Sequence, residues 1–407
     1  MDRQSNPFSP GAGTQPPELA GRDEILSDAK VAIGRALSAR SARSALLLGL
    51  RGVGKTVLLN RIAEIAEEVG CVTVVLEAPE SRPIAELLVP PLRSLLFKLS
   101  KSEKAKVLAK QALGALRAFA SAFKVTAGDI EFGVEPDHGV ADSGNLEADL
   151  PELLLTVAKA ARAADKAVVL IVDEVQYLAS TDLSALIVTI HKVGQKSLPL
   201  LMFGAGLPQL AGLAGEAKSY AERLFSYPTV GPLDAEAARA ALRTPIEREG
   251  ALIDDDALSV LVLQTQGYPY FLQEWGAQAW NVAVSSTIKI EDAYIAGEQA
   301  LRRLDEGFFR VRLDRLTPRE KDYVRAMAQL GPGPHRSGDI AKEMGMKVTT
   351  AGPLRSALIT KGMIYSPSHG DTAFTVPMFD EFMRRAMPEW EPPSAPSRGG
   401  RSRSSEG

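Results

Sequence analysis

Eight consecutive residues carry the clearest chemistry in this chain. They are Gly49-Leu50-Arg51-Gly52-Val53-Gly54-Lys55-Thr56, and they fit the G-x-x-x-x-G-K-[ST] phosphate-binding pattern. Glycines let backbone N–H groups turn inward and approach phosphate oxygens closely. The helix that follows aims its positive end at the same anion. Lys55 supplies a mobile cation for the outer phosphates, and Thr56 supplies a hydroxyl for Mg²⁺. Gly49, Gly52, Val53, Gly54, Lys55, Thr56 and Val57 are therefore the candidate ATP contacts. A second acidic element is required, and Asp173-Glu174 provides it after the apolar run Ala167 to Val172. Asp173 is the candidate Mg²⁺ ligand beside Thr56. Glu174 is the candidate group that orients or deprotonates an attacking water.

The elements that position these residues can be read from periodicity. Ala45 to Leu48 reads as a buried strand entering the loop, and Val57 to Val69 reads as the helix leaving it. The six apolar residues before Asp173 read as a strand buried on both faces. Ile84 to Leu99, Lys104 to Phe123, Glu152 to Ala163 and Leu183 to Val193 read as helices. Val72 to Leu76 reads as a strand, and Gly128 to Asp142 as short-strand material with acidic turns. Met1 to Pro17 is polar and rich in Gly, Pro and Ser, so it is expected to be disordered.

Composition narrows the class. The chain has 407 residues, 45% hydrophobic and 24% charged, which suggests two or three globular domains. Its net charge of -3 excludes a global field that would draw it to nucleic acid or membrane. The single cysteine, Cys71, forms no intrachain disulfide, and no apolar signal region stands at the N-terminus. The expectation is a cytoplasmic protein with no membrane contact.

A resemblance sharpens this reading. Gly21-Arg22-Asp23-Glu24 precedes an amphipathic helix, Ile25 to Leu37, just upstream of the phosphate loop. This arrangement resembles origin-recognition-type AAA+ ATPases and STAND signalling ATPases. The resemblance implies that Arg22 and its neighbours lie against the adenine base. Leu198 to Pro208 resembles the sensor-1 strand of AAA+ proteins. It departs from them by ending in Gly204-Ala205-Gly206, with Gln209 the nearest polar side chain. That departure implies slow hydrolysis. Arg223, on a short helix after this strand, resembles an arginine finger reaching the nucleotide of a neighbouring subunit. The other reading of Arg223 is a surface residue paired with Glu222 or a nearby acid. Gly267-Tyr268-Pro269 resembles the G-x-P element of STAND proteins, which implies that Pro269 touches the nucleotide. No sensor-2 arginine stands there, which favours a nucleotide-locked switch over a motor.

The C-terminal part reads as a separate unit. Thr317, Pro318 and Glu320 form a capping-box start for its first helix. Ser337 to Met344 and a segment from Thr349 or Thr350 read as further helices. Met363 to Tyr365 and Ala373 to Val376 read as a hairpin, so the pattern is a winged helix-turn-helix. Between Pro318 and Trp390 stand ten Lys and Arg against eight Asp and Glu. Lys347, Thr349, Thr350, Arg355 and Lys361 are the candidate DNA contacts. The rival reading, present in STAND proteins, is a winged helix that packs on the ATPase and transmits its state.

The expected fold class is α/β: a P-loop NTPase parallel sheet with a helical lid domain and a C-terminal winged helix-turn-helix. The expected boundaries are a disordered N-terminus over 1–17, an ATPase core over 18–232, a lid over 233–316, a winged helix over 317–388 and a disordered tail over 389–407. The expected function is an ATP- and Mg²⁺-dependent switch ATPase, hydrolysing slowly, that controls double-stranded DNA binding and assembles as a homo-oligomer through Arg223. The alternative is a signalling ATPase whose winged helix meets protein only. A metabolic P-loop kinase is a weaker third class, because no acceptor site is apparent.

Overall fold

Five apolar runs build a parallel sheet: Ser44–Leu48 (β1), Val72–Glu77 (β2), Val168–Asp173 (β3), Leu200–Gly206 (β4) and Phe225–Ser226 (β5). Their spatial order is β2-β3-β4-β1-β5. The computed structural model describes residues 1–11, 13–79, 82–125, 132–137 and 139–392. Every residue of β3 and β4 is buried. Continuous apolar runs are what a parallel sheet covered on both faces demands. Val168, Leu170 and Val172 share a core with Ile84–Ser100 (α3), Lys106–Ala122 (α4), Leu146–Ala163 (α5) and Ser180–Gln195 (α6). Lys55–Glu68 (α2) packs on the sheet, and Asp23–Leu37 (α1) packs on α2. Each fully buried Leu or Ile adds roughly 1.5–3 kcal/mol, and that burial fixes where the strand ends present their polar residues.

Strands β1 and β3 are not neighbours, since β4 lies between them. The loop after β1 and the acids after β3 therefore face each other across the end of β4. Two short helices, Leu210–Ala217 (α7) and Ala221–Leu224 (α8), connect β4 to β5. A helical layer follows: Ala235–Arg248 (α9), Asp255–Thr265 (α10), Pro269–Val282 (α11) and Ile290–Arg303 (α12), with a small parallel pair, Leu252–Ile253 (β6) and Thr287–Ile288 (β7). Asp234 caps α9 by accepting from Ala237 N–H at 2.8 Å.

The chain divides into two compact units, Met1–Gly297 and Glu298–Gly407. The boundary falls within α12, and the second unit continues through a π-helical turn over Leu304–Phe309 and Arg310–Asp314 (α13). Pro318–Gln329 (α14), Ser337–Glu343 (α15), Val348–Thr360 (α16) and Phe379–Ala386 (α17) surround a three-stranded antiparallel sheet. Its strands are His335–Arg336 (β8), Ile364–Tyr365 (β9) and Asp371–Phe374 (β10), in the order β8-β10-β9. The capping box at Thr317 and Glu320 is formed. Phe309 packs on Phe379 and Phe382 at centroid distances of 5.8 and 5.3 Å.

Three expectations require correction. The N-terminal segment is docked where disorder is expected. Phe8 is 4% exposed and lies against Gly276, where a Cβ would come within 2.8 Å of its ring. Asn6 Nδ2 donates to Ala277 O at 3.1 Å and Trp280 Nε1 donates to Asp2 O at 2.6 Å. A single aromatic and a glycine notch outweigh the polar composition. The start of the C-terminal tail is docked too: Trp390 Nε1 donates to Asp322 Oδ1 at 3.0 Å, with the Arg325 guanidinium 5.3 Å from its ring. Residues 393–407 lie outside the described residues. Finally, residues 132–137 and 139–142 form bends and irregular loop rather than strands, while 126–131 and 138 lie outside the described residues. Among the described residues, no helix is long and apolar enough to cross a membrane.

Candidate nucleotide site

The loop between β1 and α2 has the backbone that a phosphate cradle needs. Gly54 is the N-cap of α2 with φ of 92°, and Gly52 has φ of 83°. Both lie in the left-handed region that costs an L side chain about 1 kcal/mol or more. Gly49 is needed for a different reason: a Cβ there would stand 2.2 Å from Val230 O. Val53 is buried, while Thr56 is exposed and Val57 half-buried. Lys55 is only 7% exposed. Its Nζ donates to Gly49 O at 3.0 Å and Leu50 O at 2.8 Å. Burial pushes this ammonium below the usual lysine range, against the pull of Glu174 and Asp173.

The acids meet the loop as the strand order requires. Thr56 Oγ1 donates to Asp173 Oδ2 at 2.5 Å. A hydroxyl and a carboxylate in contact form a hard-oxygen pair suited to Mg²⁺. In the same loop the Arg51 Nε atom is buried with no partner among the described residues, so the loop holds an unspent donor. This donor set fits a magnesium triphosphate. Glu174 sits in the left-handed region at φ of 54° and is half-buried. Its N–H donates to Asp173 Oδ1 at 2.8 Å.

Burial raises the Asp173 carboxyl above the usual range, opposed by its bonds from Thr56 and the Glu174 N–H. A raised acid contributes stability at low pH that is lost as pH climbs through its folded value. Ionised Asp173 therefore costs folded stability at neutral pH when no cation is bound. Asp173→Asn is expected to raise the melting temperature in ion-free buffer and to abolish any Mg²⁺ enhancement of ATP binding. Differential scanning calorimetry with and without Mg²⁺ checks both, and a lowered melting temperature would contradict the burial argument.

The helical layer closes over the loop within the first unit. The Tyr268 hydroxyl donates to Arg51 O, and Tyr270 N–H donates to Gly52 O at 3.2 Å. Pro269, half-buried between them, starts α11. Arg22 is 8% exposed, and its Nη2 donates to Val53 O at 3.2 Å and Gly231 O at 2.5 Å. It therefore ties the loop to the start of the helical layer. Burial lowers the Arg22 pKa, with Asp234 opposing. Two participants escape sequence reasoning. Tyr268 is only the variable middle position of Gly267-Tyr268-Pro269, and Gln176 stands two residues past Glu174 with no motif of its own. Gln176 Nε2 donates to Glu174 Oε2, and its Oε1 accepts from Leu207 N–H at 3.1 Å.

Arg223 lies elsewhere. It precedes β5, whose Phe225 pairs with Ser44 at the start of β1. The phosphate loop follows the far end of β1, about 16 Å away at 3.3 Å per residue. Arg223 therefore cannot serve the nucleotide of its own chain. Its side chain is exposed and pairs with neither Glu222 nor another acid among the described residues. It lines a cleft of about 420 Å³ with Arg40, Arg43 and His191.

In the second unit, Lys347 and Thr349 are exposed at the start of α16. Arg355 is not available as an outward contact. Its Nε donates to Thr372 Oγ1 at 3.0 Å, and its Nη2 donates to Ser366 Oγ at 2.9 Å and Asp371 O at 3.1 Å. It clasps the hairpin instead. Lys361 is likewise paired with Glu320 at 2.7 Å. A linear sequence shows such cations as equivalent, because it does not place the hairpin beside the helix.

Comparison with known proteins places the first unit. Residues 18–203 match the family model of the AAA ATPase domain. A Walker-type ATPase of Pyrococcus abyssi aligns with a TM-score of 0.56 at 18% identity, covering 91% of this chain and 97% of that one. The chain thus has a P-loop NTPase fold, and its residues 18–203 are similar to AAA ATPase domains. Residues 306–383 match a domain of unknown function. An uncharacterized HTH-type transcriptional regulator of Methanocaldococcus jannaschii is 23% identical over 371 residues, covering 88% of this chain and 86% of the relative. The Aeropyrum pernix Orc1 protein, solved in complex with DNA, aligns with a TM-score of 0.48 at 15% identity, covering 95% of this chain and 96% of that one.

Proposed function

We propose that this protein is a slow ATP-hydrolysing switch whose nucleotide state governs DNA binding by a C-terminal winged-helix module. The observation that carries the ATPase half is the Thr56–Asp173 contact at 2.5 Å beneath a loop already gripped by Tyr268 and Tyr270. Thr56 and Asp173 would hold Mg²⁺, which neutralises charge on the outer phosphates. Lys55 would leave the Gly49 and Leu50 carbonyls to meet those phosphates. Glu174 takes a proton from water as the water oxygen bonds to the γ-phosphorus. The bond to the bridging oxygen then breaks, giving ADP and phosphate. Arg22 and Pro269 would border the nucleotide. Arg223 would act across a homo-oligomer, since it cannot reach its own loop. ATP with Mg²⁺ would clamp the α/β core onto the helical layer and hydrolysis would release it, and nucleotide can shift these two arrangements only by its difference in affinity for them.

The DNA half rests on the exposed start of α16 and on the relative described as an HTH-type regulator. Lys347 and Thr349 are the contacts that this reading retains. A second reading, with no DNA contact, is favoured by the internal commitment of Arg355 and Lys361. Duplex-DNA titrations at two salt concentrations separate them, run without nucleotide, with ADP and with a non-hydrolysable ATP analogue. The DNA reading expects binding that changes with nucleotide, and a salt slope that falls by about 1 in Lys347→Ala. Absence of binding in every state, with ATP still bound, would leave the protein-switch reading.

A further inference from the structure

The end of β4 lacks the polar side chain that the resemblance leads one to look for there, and the structure puts a different residue in that space. The chain leaves β3 through Glu174 in the left-handed region and enters a single 3₁₀ turn over Val175–Tyr177. That turn brings the side chains of residues 174 and 176 together. Gln176 Nε2 donates to Glu174 Oε2, while Gln176 Oε1 accepts the Leu207 N–H at 3.1 Å. The amide is thus held at both ends, once by the acid and once by the backbone immediately after β4. Reversing the amide would set its oxygen against a carboxylate and its NH₂ against an N–H, so both bonds specify one orientation.

The glycine that closes β4 makes this possible. A Cβ on Gly206 would stand 2.6 Å from Gln176 Oε1 and 2.7 Å from Leu210 Cδ2. Gly206 does not have a positive φ, so space rather than backbone conformation accounts for the glycine. The other nearby amide, Gln209, has its Oε1 buried and unpartnered. It makes no hydrogen bond to Glu174 among the described residues.

We propose that Gln176 is the positioning residue for hydrolysis, holding one oxygen of Glu174 so that the other faces the attacking water, and that Gly206 is there to admit it. This rests on the ATPase reading above, with Glu174 as the base. The Gln176 N–H bond engages a lone pair of Oε2 and ties the carboxylate to the end of β4, between the phosphate loop and the Asp173 strand. Without that bond the carboxylate would sample other rotamers, and fewer encounters would place a base on the water.

The test is steady-state phosphate release and equilibrium nucleotide binding by the full chain. Gln176→Ala is expected to lower kcat about 10–100-fold, the usual loss when a supporting partner is removed, with ATP and ADP affinities within about twofold. Gly206→Ala should lower kcat in the same sense with residue 176 untouched, and it carries the test if Gln176→Ala does not fold. A double variant, Glu174→Gln with Gln176→Ala, should be no slower than Glu174→Gln alone, because a residue acting through Glu174 has nothing left to position. Full additivity in that cycle would overturn the proposal. So would a Gln176→Ala rate within twofold of wild type beside an impaired Glu174→Gln. If Glu174→Gln itself is as fast as wild type, the assignment of the base fails, and that failure is visible separately.

Discussion

Lys55→Ala is expected to reduce kcat/KM for ATP by at least about a hundredfold, the scale for losing one preorganised charge at a transition state. Lys55 closes the loop at the start of α2, and its Nζ donates to two loop carbonyls, at 3.0 and 2.8 Å. The ammonium is therefore held within one side-chain swing of the phosphates that Gly52 and Gly54 would cradle. Burial already disfavours its charge, so an incoming polyanion would compensate a cost that the folded protein bears. Titration with a fluorescent ATP analogue, followed by phosphate release, measures both effects. An affinity within threefold of wild type would mean that the nucleotide sits elsewhere. Lys55→Arg should rescue poorly, because a planar fork cannot replace a compact, rotatable ammonium.

Glu174→Gln is expected to separate binding from turnover. The isosteric amide cannot accept a proton, so kcat should fall by about 10²–10⁴ while ATP affinity stays near wild type. Asp173 and Thr56, not Glu174, would hold the Mg²⁺. The variant would then accumulate with ATP bound, which size-exclusion chromatography with nucleotide quantification detects. Unchanged turnover would remove Glu174 from the reaction. Loss of ATP binding would instead assign it to the metal.

How much of this could be read from residues alone depends on how local the signal is. The phosphate loop follows from eight consecutive residues, and β3 from an unbroken apolar run ending in two acids. The strand between them was also readable from its apolar stretch. The order β2-β3-β4-β1-β5 was not, because pairing joins residues far apart in the chain, such as Ala45 with Phe203 and Val72 with Val168. The capping box at Thr317 was fully local and is present. Tyr268 and Gln176 were missed because each acts through a contact with a distant backbone group, Arg51 O or Leu207 N–H. Arg355 misled for the opposite reason. A cation at helical spacing looks solvent-facing until the hairpin folds against it. The docked N-terminus was hidden by composition, since a single phenylalanine in a polar stretch carries no periodic signal, and its receptor is the absent side chain of Gly276.

The placement of the tryptophans gives the protein an optical property. Two of its three, Trp275 and Trp280, lie on α11, the helix that starts at Pro269 beside the phosphate loop. The Trp275 indole donates to Gln264 Oε1 at 2.8 Å, and the Trp280 indole donates to Asp2 O, holding the N-terminal segment. Any nucleotide-driven change in how α11 meets the loop alters the surroundings of both rings. Their emission wavelength and quenching should therefore follow occupancy of the cleft without an added dye. The third, Trp390, is in the second unit over Arg325, and Trp390→Phe would remove its background. Stopped-flow mixing of that variant with nucleotide would then read the helical layer alone, in real time.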